Sequence, residues 1–194
     1  MGTLLARYGQ VTGVEASRDA LELGDFRAYE SVHLASGPED PGFPHGSYHL
    51  ISLLDVLEHV PDDRALLAAL VEKMPRDGRI VASVPMDPSL FCAVDERAGH
   101  QRRYTRAAFV QLAEAAGLEC EAATGYVVTL LPLARWQRRR VTAGGAQPQD
   151  EMRVPGLAVN AALSLIAVAE GRLARWYELP EGLSWIAVLK RQGC

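Results

Sequence analysis

The stretch "LLDVLEHVPDD" (53–63) ends an apolar run on Asp55, then sets Glu58 and His59 before Pro61 and two more acids. A second stretch, "DERAGHQRRYT" (95–105), gathers His100, Arg102, Arg103 and Tyr104 without any long apolar run. Imidazole takes up a proton near neutral pH, so His59 and His100 are the candidate catalytic bases. Each has a plainer reading beside that one. His59 also suits a helix-start position packed under a sheet, and the second stretch also suits a solvated basic loop stapled to the helix after it. Glu58, Arg103 and Tyr104 are suited to hold or orient a small polar molecule, the guanidinium of Arg102 or Arg103 matching a carboxylate or phosphate. A metal site from Asp55, His59, Asp95 and His100 lacks tight ligand spacing, so no metal is expected.

These residues need strands and helices to place them. "VTGVEA" (11–16), "SVHLA" (31–35), "YHLISLL" (48–54), "RIVASVP" (79–85), "LECEAATGY" (118–126) and "LSWIAVLK" (183–190) read as strands. Between them, Ser17 caps a helix through "RDALELG", Asp62 or Asp63 caps one through "RALLAALVEKM", and Thr105 caps one through "RAAFVQLAEAAG". A short helix ends near Gly9, and residues 36–47 are turn chemistry throughout. Alternating strands and helices, with continuous apolar strands, predict an α/β fold: a Rossmann-like, doubly wound, mostly parallel sheet with both faces covered. Ligands bind such sheets outside the carboxyl ends of the strands. Asp55, Glu58 and His59 stand at one such end, as Glu15 does after the first strand.

The 194-residue chain is 48% hydrophobic and 23% charged, ordinary for one globular core. A net charge of −4 gives no overall pull toward nucleic acid. Cys92, Cys120 and Cys194 lie far apart, which speaks against a disulfide framework and for a cytoplasmic setting. No apolar run reaches the roughly 18 residues that span a bilayer, and the first residues do not read as a signal peptide.

In "VTGVEAS", "YHLISLLDVLEHVPDD", "MPRDGRIVASVP" and "GHQRRYT", in that order, the chain resembles the class I S-adenosylmethionine-dependent methyltransferases over roughly residues 2–125. "GLSWIAVLKR" resembles that family's last, antiparallel strand. The resemblance implies a first strand feeding a Gly-x-Gly-x-Gly loop, which would sit in the middle of the sheet between the strands at 11–16 and 48–54. The sequence starts after it, with Met1-Gly2 as the tail of that loop, so a fragment and a degraded relative are both expected readings. The resemblance also implies a cofactor, S-adenosyl-L-methionine, held by Gly2, Glu15, Ala16, Ser36, Leu54 and Asp55. Glu15 would accept from two ribose hydroxyls, the alternative being a solvated acid at a strand end. Ser36, with Gly37 and Glu39, is a candidate for the adenine end, a plain surface turn being its rival. Leu54 and Asp55 would line the methionine end, near the sulfonium. Glu58, Arg103 and Tyr104 would then face the methyl acceptor, a small molecule or a lipid-linked one.

Residues 1–126 and 181–194 are thus expected to form the methyltransferase-like core, and 127–180 a mostly helical excursion over the acceptor side. Within it, 141–156 reads as a flexible connector. The segments 130–140 and 157–177, apolar and then basic with tryptophans, suit a lid packed on the core or a peripheral membrane contact. Two rivals stand beside the enzyme: an inactive methyltransferase-like partner module, and a nicotinamide-dependent enzyme, against which "LEHVPDD" and "GHQRRYT" count.

Overall fold

A computed structural model describes residues 2–142 and 156–193. Most of the connector read over 141–156, with Met1 and Cys194, lies outside the described residues. The elements run α1 (Gly2–Leu5), β1 (Thr12–Glu15), α2 (Arg18–Leu23), β2 (Ser31–Leu34), β3 (Leu50–Leu54), α3 (Asp63–Glu72), β4 (Arg79–Pro85), α4 (Ala93–Ala98), α5 (Arg106–Ala115), β5 (Leu118–Tyr126), α6 (Leu131–Thr142), α7 (Leu157–Leu173) and β6 (Ser184–Arg191). Single 3-10 turns stand at Leu57–His59 and Pro88–Leu90.

The strands form two sheets. β1 and β2 pair in parallel as a two-stranded ribbon, while the other four lie in the order β3-β4-β6-β5. β3 and β4 are parallel; β6 runs antiparallel to both of its neighbours. The α/β architecture and the antiparallel last strand are as the sequence predicts. The sheet is divided between β1 and β3, the place where the family resemblance puts a further strand.

Packing is concentrated in the larger sheet. Ile80, Ala82 and Val84 of β4, Leu189 of β6, Leu67 of α3 and Phe109 of α5 are fully buried in one core. Each large side chain among them contributes about 2 kcal/mol by leaving water. The ring of Phe109 meets Tyr104 and Trp185 edge-on, which ties α5 to the end of β6.

The helix starts follow capping chemistry. Ser17 accepts from the Ala20 N–H at 3.2 Å, Thr105 from Ala108 at 3.1 Å and Asp62 from Ala65 at 2.8 Å. Asp63, the other cap candidate, instead receives the Tyr104 hydroxyl at 2.8 Å and pairs with Arg102 at 2.9 Å. One element departs from expectation. Residues 95–98, read as the start of a loop, are the last turn of α4, whose Asp95 side chain accepts from the backbone N–H of Cys92 at 3.0 Å. Gly99 ends this helix at φ 80°, a conformation that costs glycine little.

Candidate active site

Parallel pairing puts the carboxyl ends of β3 and β4 on one rim, and the antiparallel register sets Ser184, at the start of β6, beside Pro85. A cleft of about 490 Å³ opens there, lined from the sheet by Asp55, Pro85, Leu183 and Ser184. Glu58, His100 and Arg103 form its floor side, and Ala134, Gln137 and Arg138 of α6 roof it.

Asp55 marks the point where β3 stops being a strand. Its φ is +53°, in the left-handed region where Asp is better tolerated than most residues. Its N–H donates to the Ser83 carbonyl at 3.1 Å and to Ser83 Oγ at 3.0 Å. This hold turns the chain into the 3-10 turn that carries Glu58 and His59.

The two chemistry-bearing stretches are joined along their length. The N–H of Gln101 donates to the Glu58 carbonyl at 2.8 Å, and its side-chain amide to the His59 carbonyl at 2.8 Å. Arg102 reaches the Pro61 carbonyl at 2.8 Å. Tyr104 exchanges backbone bonds with Pro85 and Asp87 on β4's far end. The loop is therefore zipped to the rim.

Asp95 anchors this assembly. It is 1% exposed, and its Oδ1 takes Nε and Nη2 of Arg103 at 2.9 and 2.7 Å while Oδ2 takes Nη1 of Arg138 at 2.5 Å. Burial pushes its carboxyl up, but the hydrogen bonds and charge of Arg103, the Cys92 N–H and Arg138 together hold it below the usual range. Arg138, with Arg135 paired to Asp87 at 2.9 Å, pins the roof helix to the core.

Glu58 is the opposite case. It is fully buried, and neither of its carboxylate oxygens has a hydrogen-bond partner. Burial raises its carboxyl to about 7, with the Asp55 charge adding to the rise. His59 is exposed and His100 half-buried, their rings edge to face at 4.7 Å. Burial, followed by the neighbouring His59, lowers the pKa of His100, so it stands neutral around pH 7.

The expected site residues fall into two groups. Asp55, Glu58, His100 and Arg103 line one cleft, with His59 at its edge. The guanidinium of Arg103 is committed to Asp95 and to the Met86 carbonyl at 2.9 Å, and the Tyr104 hydroxyl to Asp63, so neither is placed as a free hand for an acceptor. Gly2, Glu15, Ala16, Ser36 and Leu54 do not line this cleft. Glu15 Oε1 accepts from the Ser17 N–H at 2.9 Å, Ser36 bonds Asp40 through N–H and hydroxyl, and Gly2 stands against the Tyr29 ring, where a Cβ would come within 2.3 Å. Arg138, Gln137 and the anchoring role of Asp95 are additions that local sequence pattern does not reveal.

The methyltransferase-domain family matches residues 4–123, more than half of the chain. A search of curated proteins finds no match. Among solved structures, a candidate methyltransferase from Bacillus halodurans C-125 superposes with a TM-score of 0.58 at 13% identity, covering 99% of this chain and 87% of that one. A candidate sarcosine dimethylglycine methyltransferase from Galdieria sulphuraria gives 0.56 at 15% identity, over 97% and 72% of the two chains. The [4+2]-cyclase SpnF gives 0.54 at 14% identity, over 98% and 71%. These likenesses show the fold, and the matched domain shows the family: this chain belongs to the methyltransferase-domain family, whose methyl donor is S-adenosylmethionine.

Proposed function

We propose that the protein transfers the methyl group of S-adenosylmethionine to a small-molecule or lipid-linked acceptor held in the cleft under α6. The observation that carries this reading is the set of ionisable groups on the rim: Asp55, Glu58 and His100 face one hollow at the carboxyl ends of β3 and β4. The donor supplies an activated methyl on a sulfonium, and transfer is an in-line displacement needing orientation and a dry cleft. The Asp55 carboxylate suits the cationic end of the donor, and Glu15, at the end of β1, suits the ribose. His100, neutral near pH 7, and His59 beside it are placed to take a proton from a hydroxyl or ammonium acceptor. Calorimetry with S-adenosylhomocysteine tests the reading: binding that Asp55→Ala weakens about tenfold or more is expected, and absence of heat at millimolar ligand overturns it.

The division of the sheet favours a second reading, a methyltransferase-like partner module without turnover. β1 carries Glu15 on a ribbon separate from the sheet that carries Asp55. The same calorimetry separates the two, since the module predicts no donor binding.

The acceptor's lipid-linked form draws support from the segment that begins with α7. Among the described residues no helix is long and apolar enough to cross a membrane. Yet Leu157, Leu165, Trp176 and Tyr177 are each at least two-thirds exposed, with Arg172 and Arg175 close by. Such a helix suits the surface of an anionic bilayer. Co-sedimentation with phosphatidylglycerol vesicles, lost on Leu165→Glu, is expected; equal recovery with and without vesicles removes this half of the proposal.

A further inference from the structure

The fold brings His100 against two ligand-type side chains that adjoin in sequence. Glu58 and His59 come from the turn after β3, and His100 from the loop after α4. One ligand atom from each lies within 4.8 Å of the others. Of the four residues considered from sequence spacing, Asp95 is spent on two arginines and Asp55 stands outside the cluster. Glu58 takes their place.

Two features set this cluster apart from a chance gathering of polar groups. The first is Glu58, fully buried with both oxygens unpartnered, a costly state unless something outside the chain meets them. Arg103, whose charge acts on Glu58, is bonded instead to Asp95 and the Met86 carbonyl. The second is the orientation of the imidazoles. Nδ1 of His59 lies 3.3 Å from the Gly99 carbonyl, and Nδ1 of His100 lies 3.3 Å from Asp95 Oδ1, though at an angle short of a hydrogen bond. An acceptor behind Nδ1, as the Gly99 carbonyl is at His59, favours the proton there and leaves Nε2 with the lone pair; at His100 the Asp95 carboxylate lies on that side without a bond. That arrangement recurs behind metal-bound histidines, as does a carboxylate held in turn by other groups. Asp95, gripped by Arg103 and Arg138, fills that place for His100.

We propose that Glu58, His59 and His100 bind one divalent transition-metal ion at the mouth of the cleft. Two imidazoles and a carboxylate suit zinc, cobalt, manganese or iron better than calcium or magnesium, which prefer all-oxygen sites. Bonds of roughly 2.0–2.2 Å require the ligand atoms to close somewhat from their present spacing, a side-chain adjustment that the exposed His59 permits. Three protein ligands leave coordination positions open toward the cleft, where water or an acceptor oxygen fits.

The test uses the whole chain, stripped with a chelator and dialysed. Calorimetric titration with zinc is expected to show one equivalent bound, and cobalt is expected to give visible d–d absorption that zinc displaces. His59→Ala, at an exposed position, and His100→Ala should each weaken zinc about tenfold or more, with circular dichroism unchanged; Asp95→Asn, which removes no ligand atom, should weaken it less in protein that is still folded. No stoichiometric uptake, or uptake that His59→Ala and His100→Ala leave intact, overturns the site. S-adenosylhomocysteine titrated separately keeps the two readings apart: zinc uptake without donor binding supports the metal site and counts only against the methyltransferase reading, and the reverse result does the opposite.

Discussion

The two sheets differ in how they are supported. The β3-β4-β6-β5 sheet carries nearly all the buried apolar side chains, from Leu53 to Leu189. Ahead of β3, Ala35 and Pro44 are the buried apolar side chains among the described residues, and Val14 in β1 is 41% exposed. A two-stranded ribbon is marginal on its own, whereas four strands packed by helices on a shared core are not. The part of the molecule that carries the cleft is therefore self-supporting. The side that holds Glu15 takes little from its own core.

Three measurements put that contrast to the test. The largest effect is expected at Asp95, which joins α4, the loop and α6. Asp95→Asn takes a charged partner from Arg103 and from Arg138, whose side chains are 5% and 14% exposed. Removing one partner of a buried pair costs about 3 kcal/mol or more, read by urea unfolding. A loss below about 1 kcal/mol would show that the rim does not depend on this anchor.

Next comes Glu58 in metal-free protein. Its folded pKa, about 7, lies above the unfolded value of 4.5, so the folded state holds the extra proton. Stability is thus undiminished below pH 4.5 and falls as pH rises from there through 7. Asp55, Arg103, His59 and His100 also act on or beside this carboxyl. Glu58→Gln should leave stability near wild type at pH 4 and raise it by up to about 3 kcal/mol at pH 8. An equal effect at both pH values would mean that the carboxyl finds a partner when ionised.

The smallest effect belongs to the ribbon. Val14→Thr should change global stability by no more than about 0.5 kcal/mol. A loss comparable to that of Asp95→Asn would show that β1 is part of the same cooperative core.

Much of this molecule is legible from sequence because it is local. Apolar runs mark β3, β4 and β6 to within a residue or two, and Ser17, Asp62 and Thr105 announce their helices by bonding an N–H three residues on. Asp55 is legible as the place where an apolar strand meets charge. What escapes is long-range. Nothing near Arg103 in the chain says that Asp95 and the Met86 carbonyl consume it, and nothing near Asp63 says that Tyr104 takes it from its capping role. Glu58 reads as a polar rim residue because charged letters suggest solvent; its burial comes from the loop folded over it. The split sheet is equally invisible to periodicity, since β1 and β3 look the same with or without a neighbour.

The pairing of residues 99–104 with 55–63 has a practical consequence. Gln101 holds the carbonyls of Glu58 and His59, and Arg102 that of Pro61, so much of the joint is made to main-chain atoms whose positions depend on both partners. Anyone wishing to re-tailor what this pocket accepts would need to transplant both segments from one donor protein as a unit. A chimera carrying only one of them would arrive with its companion's contour missing.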